Sequence, residues 1–183
     1  AWFAFVPLFL IISHAQNRSQ ALGYSLIAGM AFFGFSMHWL TNVTPVGWIL
    51  LAFMESVYFA LFGWLAYEGI YSRRSLVFRI IWIGLAWTAT EIFRSEMPVF
   101  GFGWNLLAYS QASYPVMIQS ANIFGAYGLG FLIAVVNGCL FELLAPKKNR
   151  KRGVPAALFA AALLILGAIL FYGDRTLAQE KKP

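Results

Sequence analysis

The sequence predicts an all-α membrane protein, a polytopic bundle of about six transmembrane helices with one loop that re-enters the bundle. Of its 183 residues, 61% are hydrophobic, 18% aromatic and only 11% charged, which is outside the usual composition of soluble domains. The apolar residues come in successive runs near the ~20 residues that a helix needs to cross a bilayer. The basic residues cluster in short stretches between these runs, as topology determinants do.

Six apolar segments predict the helices, and they cover residues 1–13, 22–40, 46–70, 76–93, 116–144 and 154–172. Helices are expected because a backbone in hydrocarbon must satisfy its hydrogen bonds within the segment, and these runs are continuous rather than alternating as barrel strands are. Glycines inside the runs, such as Gly29 and Gly125, allow neighbouring helices to approach closely.

The basic residues predict the orientation of the bundle. Arg18 follows the first segment, Arg73, Arg74 and Arg79 follow the third, and five basic residues lie in the turn at 146–152 after the fifth. If each segment crosses once, all three loops lie on one side, and the positive-inside rule places that side in the cytoplasm. The loop at 94–115 and the C-terminus then lie outside. We therefore assign the net charge of +6 to topology and expect no nucleic-acid partner.

Three acidic residues lie in or beside apolar runs, where each needs a partner or water. Glu91 precedes Arg94 by three residues, so the sequence predicts an ion pair on one helical face, either as a structural anchor or facing a substrate. Glu55 lies near the bilayer middle and is either a protonated carboxyl bonded to another helix or a functional carboxylate. Glu68 is close to Arg73 and Arg74, which indicates an interfacial residue without a further role.

The stretch GFGWNLLAYSQ at 101–111 is too polar for lipid and too apolar for an ordinary surface loop. Pro98, Gly101 and Gly103 interrupt a helix here, and non-helical backbone at membrane depth must be buried in protein or line a cavity. We therefore expect the loop to fold back into the bundle and to offer a lipid-binding surface. The alternative interpretation is that its aromatic residues form only an interfacial belt. The residues expected to bind lipid are Trp104, Tyr109, Gln111, Phe102 and Asn105.

No residues in the chain indicate a cofactor or a metal site. His38 ends the second segment without a second His or Cys at metal-ligand spacing. The single cysteine, Cys139, lies in an apolar run without a nearby base, which is typical of a buried, unreactive thiol. We therefore expect no catalytic residue within this chain.

The ordered set of motifs resembles the membrane part of the bacterial apolipoprotein N-acyltransferases. Their patterns of E-x-x-R, G-F-P-W, L-G-Y-S-Q and a later G-x-Y-G…V-N run correspond to Glu91 with Arg94, residues 101–111 and residues 125–137. The likeness also includes the early VPL at 6–8 and HWL at 38–40, and it covers nearly the whole chain. The sequence departs from the pattern at three positions, with Gly103 for proline, Ala108 for glycine and Gly130 for serine.

The resemblance implies an integral enzyme of the bacterial inner membrane. Such an enzyme transfers an acyl chain from a phospholipid to the amino group of the N-terminal diacylglyceryl-cysteine of lipoproteins. A Glu, Lys and Cys set in a periplasmic nitrilase-like domain forms the thioester intermediate. By this likeness, residues 1–173 form the transmembrane domain and 174–183 begin a periplasmic linker to that domain. The nitrilase-like domain itself is absent here. In the membrane domain we expect Glu91 and Arg94 to fix the loop at 101–111. The segment alone is expected to be inactive.

Two other functions remain open from the sequence. A similar bundle in actinobacterial proteins is associated with a polyprenol-phosphate mannose synthase, so the chain could serve that partner instead. A small transporter in which Glu55 carries a proton is the third hypothesis. The expected partners in the first case are membrane phospholipid, the diacylglyceryl lipoprotein, the bilayer and the nitrilase-like domain of the same polypeptide.

Overall fold

The computed structural model describes residues 1–98, 100–145 and 153–180, and all regular structure in these ranges is helical. The seven α-helices are α1 (Val6–Ile12), α2 (Arg18–Ser36), α3 (Pro45–Tyr71), α4 (Leu76–Glu96), α5 (Pro115–Ile118), α6 (Ala121–Leu144) and α7 (Gly153–Glu180). Two short 3-10 helices lie at His38–Asn42 and Leu107–Gln111. The predicted basic turn at 146–152 lies outside the described residues.

Within the described ranges, four helices are long and apolar enough to cross a membrane. They are α3, α4, α6 and residues 154–179 of α7. The helix α1 has only seven residues and α2 has nineteen, and neither is among the four. The fold is therefore the all-α membrane bundle that the sequence predicts.

Side-chain caps set where several helices begin. Asn17 accepts a hydrogen bond from the backbone N–H of Gln20 at 2.9 Å, so α2 begins at Arg18 rather than at the predicted residue 22. Thr44 caps α3 in the same way, and Pro45 occupies the first helical position, where its missing N–H costs nothing. Ser75 caps α4. A hydropathy pattern does not detect polar capping residues, so the predicted segment begins one turn later than α2.

The predicted helix at 116–144 is two helices in the structure. The short α5 ends at Ile118, and α6 starts at Ala121 with Gly125 in the left-handed region at φ 65°. This conformation carries no steric cost for glycine, and it changes the direction of the chain within the first turns of α6. The helix α7 continues to Glu180, beyond the predicted end at residue 172.

Small residues bring α2 and α3 into close contact. A Cβ at Gly63 of α3 would lie 1.7 Å from Ser25 Oγ of α2, and one at Gly29 of α2 would lie 3.0 Å from Ser56 Cα. Such positions let two helix backbones approach more closely than larger side chains allow. The helix α2 is therefore fixed against α3 along much of its length.

Aromatic side chains fill the centre of the bundle. The Phe5 ring lies 4.5 Å from the Trp87 ring and 5.3 Å from the Phe62 ring, measured between centroids. These tilted contacts join the turn before α1 to α3 and α4. The Trp2 indole donates to Gln111, which places the start of the chain beside the loop that the sequence singles out.

One expectation about the basic residues is wrong. The sequence places Arg79 in a cytoplasmic loop, but the structure buries it in the first turns of α4, in an ion pair with Glu142 of α6. A buried pair is kept because removing one partner leaves an uncompensated charge. Arg79 thus joins two helices, whereas Arg73 and Arg74 remain exposed between α3 and α4.

Candidate functional site

The buried side chain of Arg94 joins α4, α3 and the 101–111 loop. Its Nη1 atom lies 2.5 Å from Glu55 Oε2 of α3. The same nitrogen lies 3.0 Å from the carbonyl oxygen of Phe102 and 2.8 Å from that of Trp104. The guanidinium group therefore satisfies loop carbonyls at membrane depth while its charge is balanced by a neighbouring helix.

The predicted ion pair between Glu91 and Arg94 is not formed. Glu91 is buried and accepts a hydrogen bond from the backbone N–H of Leu107 at 2.5 Å, whereas Arg94 pairs with Glu55. Both residues contact the loop, but each does so separately. Glu55 is thus a buried carboxylate facing an arginine of another helix, a partner 39 residues away that the sequence does not reveal.

Asn105 connects the loop to the end of α2. Its backbone has φ 57°, a left-handed conformation that asparagine adopts more readily than most residues. The side-chain amide donates to Ser36 Oγ at 2.9 Å. The backbone N–H of Phe102 donates to the carbonyl of Arg94 at 2.8 Å, so the loop turns back directly after α4. The loop therefore re-enters the bundle, as predicted.

The remaining predicted residues take different positions. Gln111 is buried, and its Oε1 accepts from the Trp2 indole N–H at 3.2 Å. The Trp104 side chain is half exposed, and its ring centroid lies 5.8 Å from that of Trp39 in the 3-10 helix after α2. The Phe102 ring packs against the central aromatic cluster. Contact of any of them with lipid remains a prediction.

An apolar cavity of about 670 Å³ lies between α1 and α2, below the loop. We call it the α1–α2 groove. Its side walls come from α1 and α2, Phe59 and Trp87 form its floor, and the loop contributes Asn105, Tyr109 and neighbouring residues. Two of the five residues expected to bind lipid thus line the groove, and the other three lie beside it. The walls on α1 and α2 were not predicted.

Polar atoms in the groove are concentrated at its loop end. Ser36, Asn105 and Ser110 lie there, and the rest of the lining is almost entirely apolar. The volume falls within the roughly 300–1,000 Å³ of small-ligand sites, which combine apolar walls with a few polar groups. The groove is suited to a ligand with a long apolar body and one polar end.

At the opposite end of the bundle, Glu68 pairs with Arg18 of α2 rather than with Arg73 or Arg74. This pair lines a second, open cavity of about 640 Å³. Cys139 is buried in α6. Among the described residues, no group of three or more His, Cys, Asp or Glu side chains could hold a metal ion.

These features define a helical membrane domain in which a polar network holds a re-entrant loop over an apolar groove. The family model described as the apolipoprotein N-acyltransferase N-terminal domain matches residues 1–139. The chain therefore belongs to the apolipoprotein N-acyltransferase family.

Curated relatives agree with this assignment. The chain is 30% identical to an apolipoprotein N-acyltransferase of Geobacter metallireducens over 97% of this chain and 35% of the relative. It is 26% identical to that of Rickettsia prowazekii over 94% of this chain and 35% of the relative. It is 27% identical to that of Gloeobacter violaceus over 91% of this chain and 34% of the relative. The chain thus spans about a third of the length of these relatives. No solved structure matches the chain.

Proposed function

We propose that the full-length protein transfers an acyl chain from a phospholipid to the N-terminal diacylglyceryl-cysteine of lipoproteins, through a thioester acyl-enzyme. The family match and the names of the relatives support this activity. The present chain supplies membrane anchoring and lipid access, and the Glu, Lys and Cys set belongs to a nitrilase-like domain of the same polypeptide. The greater length of the relatives is consistent with such a domain.

The loop held over the α1–α2 groove is the observation that supports a role in lipid access. Arg94 and Glu91 bind loop backbone atoms, so the loop keeps its position although it has little regular structure. Trp104 and Tyr109 are half exposed on this loop. In this proposal they line the entry for lipid together with Phe102, Asn105 and Gln111, and Glu91 and Arg94 fix the loop.

The orientation of the domain is part of the same proposal. Arg18, Arg73 and Arg74 lie at the end of the bundle opposite the loop, as the positive-inside rule requires if that end is cytoplasmic. In a bacterial inner membrane the loop and the C-terminal end of α7 then face the periplasm. The catalytic domain of this proposal lies on that side, beyond the end of α7.

The buried pair of Glu55 with Arg94 bears on the transporter hypothesis. A proton carrier must release its proton to a pathway, whereas Glu55 is completely buried and engaged by a permanent cation. The described contacts therefore favour a structural role for Glu55. No contact in the described residues specifically favours a mannose synthase partner.

The experiment that tests the proposal uses the full-length protein in phospholipid vesicles with a diacylglyceryl lipopeptide as acceptor. We expect Trp104→Ala and Tyr109→Ala to lower the initial rate of acyl transfer on the order of tenfold, because each removes apolar contact with the donor lipid. Tyr114→Ala is the matched control, since Tyr114 is 61% exposed on the same side but follows the loop at 101–111 and does not line the groove. Unchanged transfer in the first two variants, at normal expression, would remove the lipid-access role. A wild-type protein without any transfer would remove the proposed activity.

A further inference from the structure

The α1–α2 groove has one polar end and one apolar end. At the polar end, Ser36 Oγ accepts a hydrogen bond from Asn105, which leaves the serine proton to be donated to a ligand. Farther from the loop, the lining consists of Phe32 and Phe33 on α2 and of Leu8 on α1. An ester carbonyl at Ser36 would thus be followed by a purely apolar path.

Ala28 is the residue of α2 farthest from Ser36 that still lines the groove. Eight residues of helix separate the two positions, which corresponds to about 12 Å at a rise of ~1.5 Å per residue. On α1, Ile11 is the lining residue farthest along the helix from its first residue. The side chain at position 28 is small, so the path remains open at a point where a larger side chain would narrow it.

The surroundings of the groove limit what it can hold. Ile11 and Phe32 line it and are each 51% exposed, so its walls reach the outer surface of the bundle. In a membrane-spanning domain this surface faces lipid, because the large exposed side chains of α1 and α2 are apolar, among them Ile11, Ile27 and Phe35. Water is poorly held by apolar walls, whereas an acyl chain matches both the walls and the polar end.

We propose that the α1–α2 groove binds one acyl chain of a phospholipid, with the ester carbonyl at Ser36 and the chain running along α2 past Ala28. The side chain at position 28 then determines how long an acyl chain the groove accommodates. This inference rests on the proposed function only in taking phospholipid as the lipid that enters. Protein contacts separate each methylene between Ser36 and Ala28 from the bilayer lipid. Carbons beyond Ala28 pass between α2 and Ile11.

The test measures binding rather than acyl transfer. The full-length protein in detergent micelles is photolabelled with a phosphatidylcholine that carries a diazirine in the middle of one acyl chain. Unlabelled dihexanoyl and dipalmitoyl phosphatidylcholine serve as competitors. For the unmodified protein we expect labelled peptides from α1 and α2 around Ile11 and Ala28. We also expect the palmitoyl lipid to compete far better than the hexanoyl lipid.

Ala28→Phe should obstruct the path and reduce the advantage of the palmitoyl over the hexanoyl competitor on the order of tenfold, because the carbons beyond position 28 lose the close packing that the groove provides and hydrocarbon does not. Competition by the hexanoyl lipid should not change, because its chain ends before position 28. Ala31→Phe is the matched control on the same helix, where Ala31 is exposed and does not line the groove. Ala28→Leu repeats the measurement with a smaller side chain should the phenylalanine variant fail to fold.

Two results would overturn the inference. One is labelling that maps, in the unmodified protein, to peptides without any residue that lines the groove. The other is a chain-length advantage that Ala28→Phe or Ala28→Leu leaves equal to that of Ala31→Phe. Because no acyl transfer is measured, the loss of the proposed activity would not by itself produce either result. Conversely, normal transfer with labelling elsewhere would retain the proposed function and reject the groove.

Discussion

Arg94 of α4 is neutralised by Glu55 of α3 and not by Glu91, which lies three residues earlier on its own helix. The Arg94 and Glu55 side chains are 4% and 0% exposed, and 2.5 Å separates Nη1 from Oε2. Because the same guanidinium binds two loop carbonyls, the position of the loop depends on α3 as well as on α4.

This buried pair predicts a large effect on stability. Glu55→Gln removes the counter-charge and leaves Arg94 uncompensated, so the free energy of unfolding should fall by about 3–5 kcal/mol. Glu68→Gln is the control on the same helix. Its pair with Arg18 has side chains 35% and 62% exposed, and a pair of that kind contributes less than about 1 kcal/mol. Unfolding by titration with sodium dodecyl sulfate in mixed micelles measures both, and equal losses would contradict the prediction.

A second prediction concerns the bond between Glu91 and the loop. Glu91→Ala removes the acceptor of the Leu107 N–H, so amide hydrogen exchange at residues 104–111 should become faster. Glu91→Gln keeps an oxygen acceptor and should retain much of the protection. Glu96→Ala, which removes a bond to Tyr127 instead, should leave these amides unchanged. If all three variants exchange alike, Glu91 does not fix the loop.

The close contact of α2 with α3 gives a third prediction. Gly63→Ala introduces a Cβ that would meet both Oγ and Cβ of Ser25, at 1.7 and 2.3 Å, so the helices must separate. We expect a loss of about 1–3 kcal/mol, the usual cost of overpacking. Gly23→Ala in α2 has nothing within 4 Å and should stabilise the helix by up to about 1 kcal/mol. Thermal unfolding in detergent distinguishes the two variants. Unchanged stability of Gly63→Ala would show that α2 and α3 accommodate the added Cβ without cost and would contradict the prediction.

The proposed orientation can be tested at the two ends of α3. Asn42 and Arg74 are both exposed and lie just before and just after this helix. In intact cells, a membrane-impermeant maleimide should label Asn42→Cys but not Arg74→Cys, and permeabilised cells should label both. Cys139 is buried and gives little background. Labelling of Arg74→Cys in intact cells would reverse the topology and with it the periplasmic position of the loop.

Continuous apolar runs made the longest helices predictable. The predicted segments 46–70 and 76–93 correspond to Pro45–Tyr71 and Leu76–Glu96, because in a membrane the apolar run and the helix coincide. The re-entrant loop was also predictable, since its glycines and polar residues fit no transmembrane helix. The partner of Arg94 was not, because charge spacing along one helix carries no information about which helix packs beside it.

The α1–α2 groove shows a second limit of the sequence. Helices in a membrane are apolar on all sides, so their periodicity does not distinguish a wall of a cavity from a surface that faces lipid. Ala28 and Ala31 have the same side chain on the same helix, yet only Ala28 lines the groove. The break at Gly125 was likewise hidden, because residues 123–136 around it are apolar or aromatic.

The two walls of the groove are held in different ways. Small residues fix α2 closely against α3 at Gly29 and Gly63, whereas α1 has only seven residues and is anchored by the buried Phe9 and Ile12 side chains and by hydrogen bonds near both ends. Asn137 Oδ1 accepts the Phe5 N–H at 2.8 Å, and the Tyr71 hydroxyl donates to the Ser13 carbonyl at 2.9 Å. With both walls anchored, the width of the groove is set before a lipid enters, so a bulkier lipid finds no additional room there.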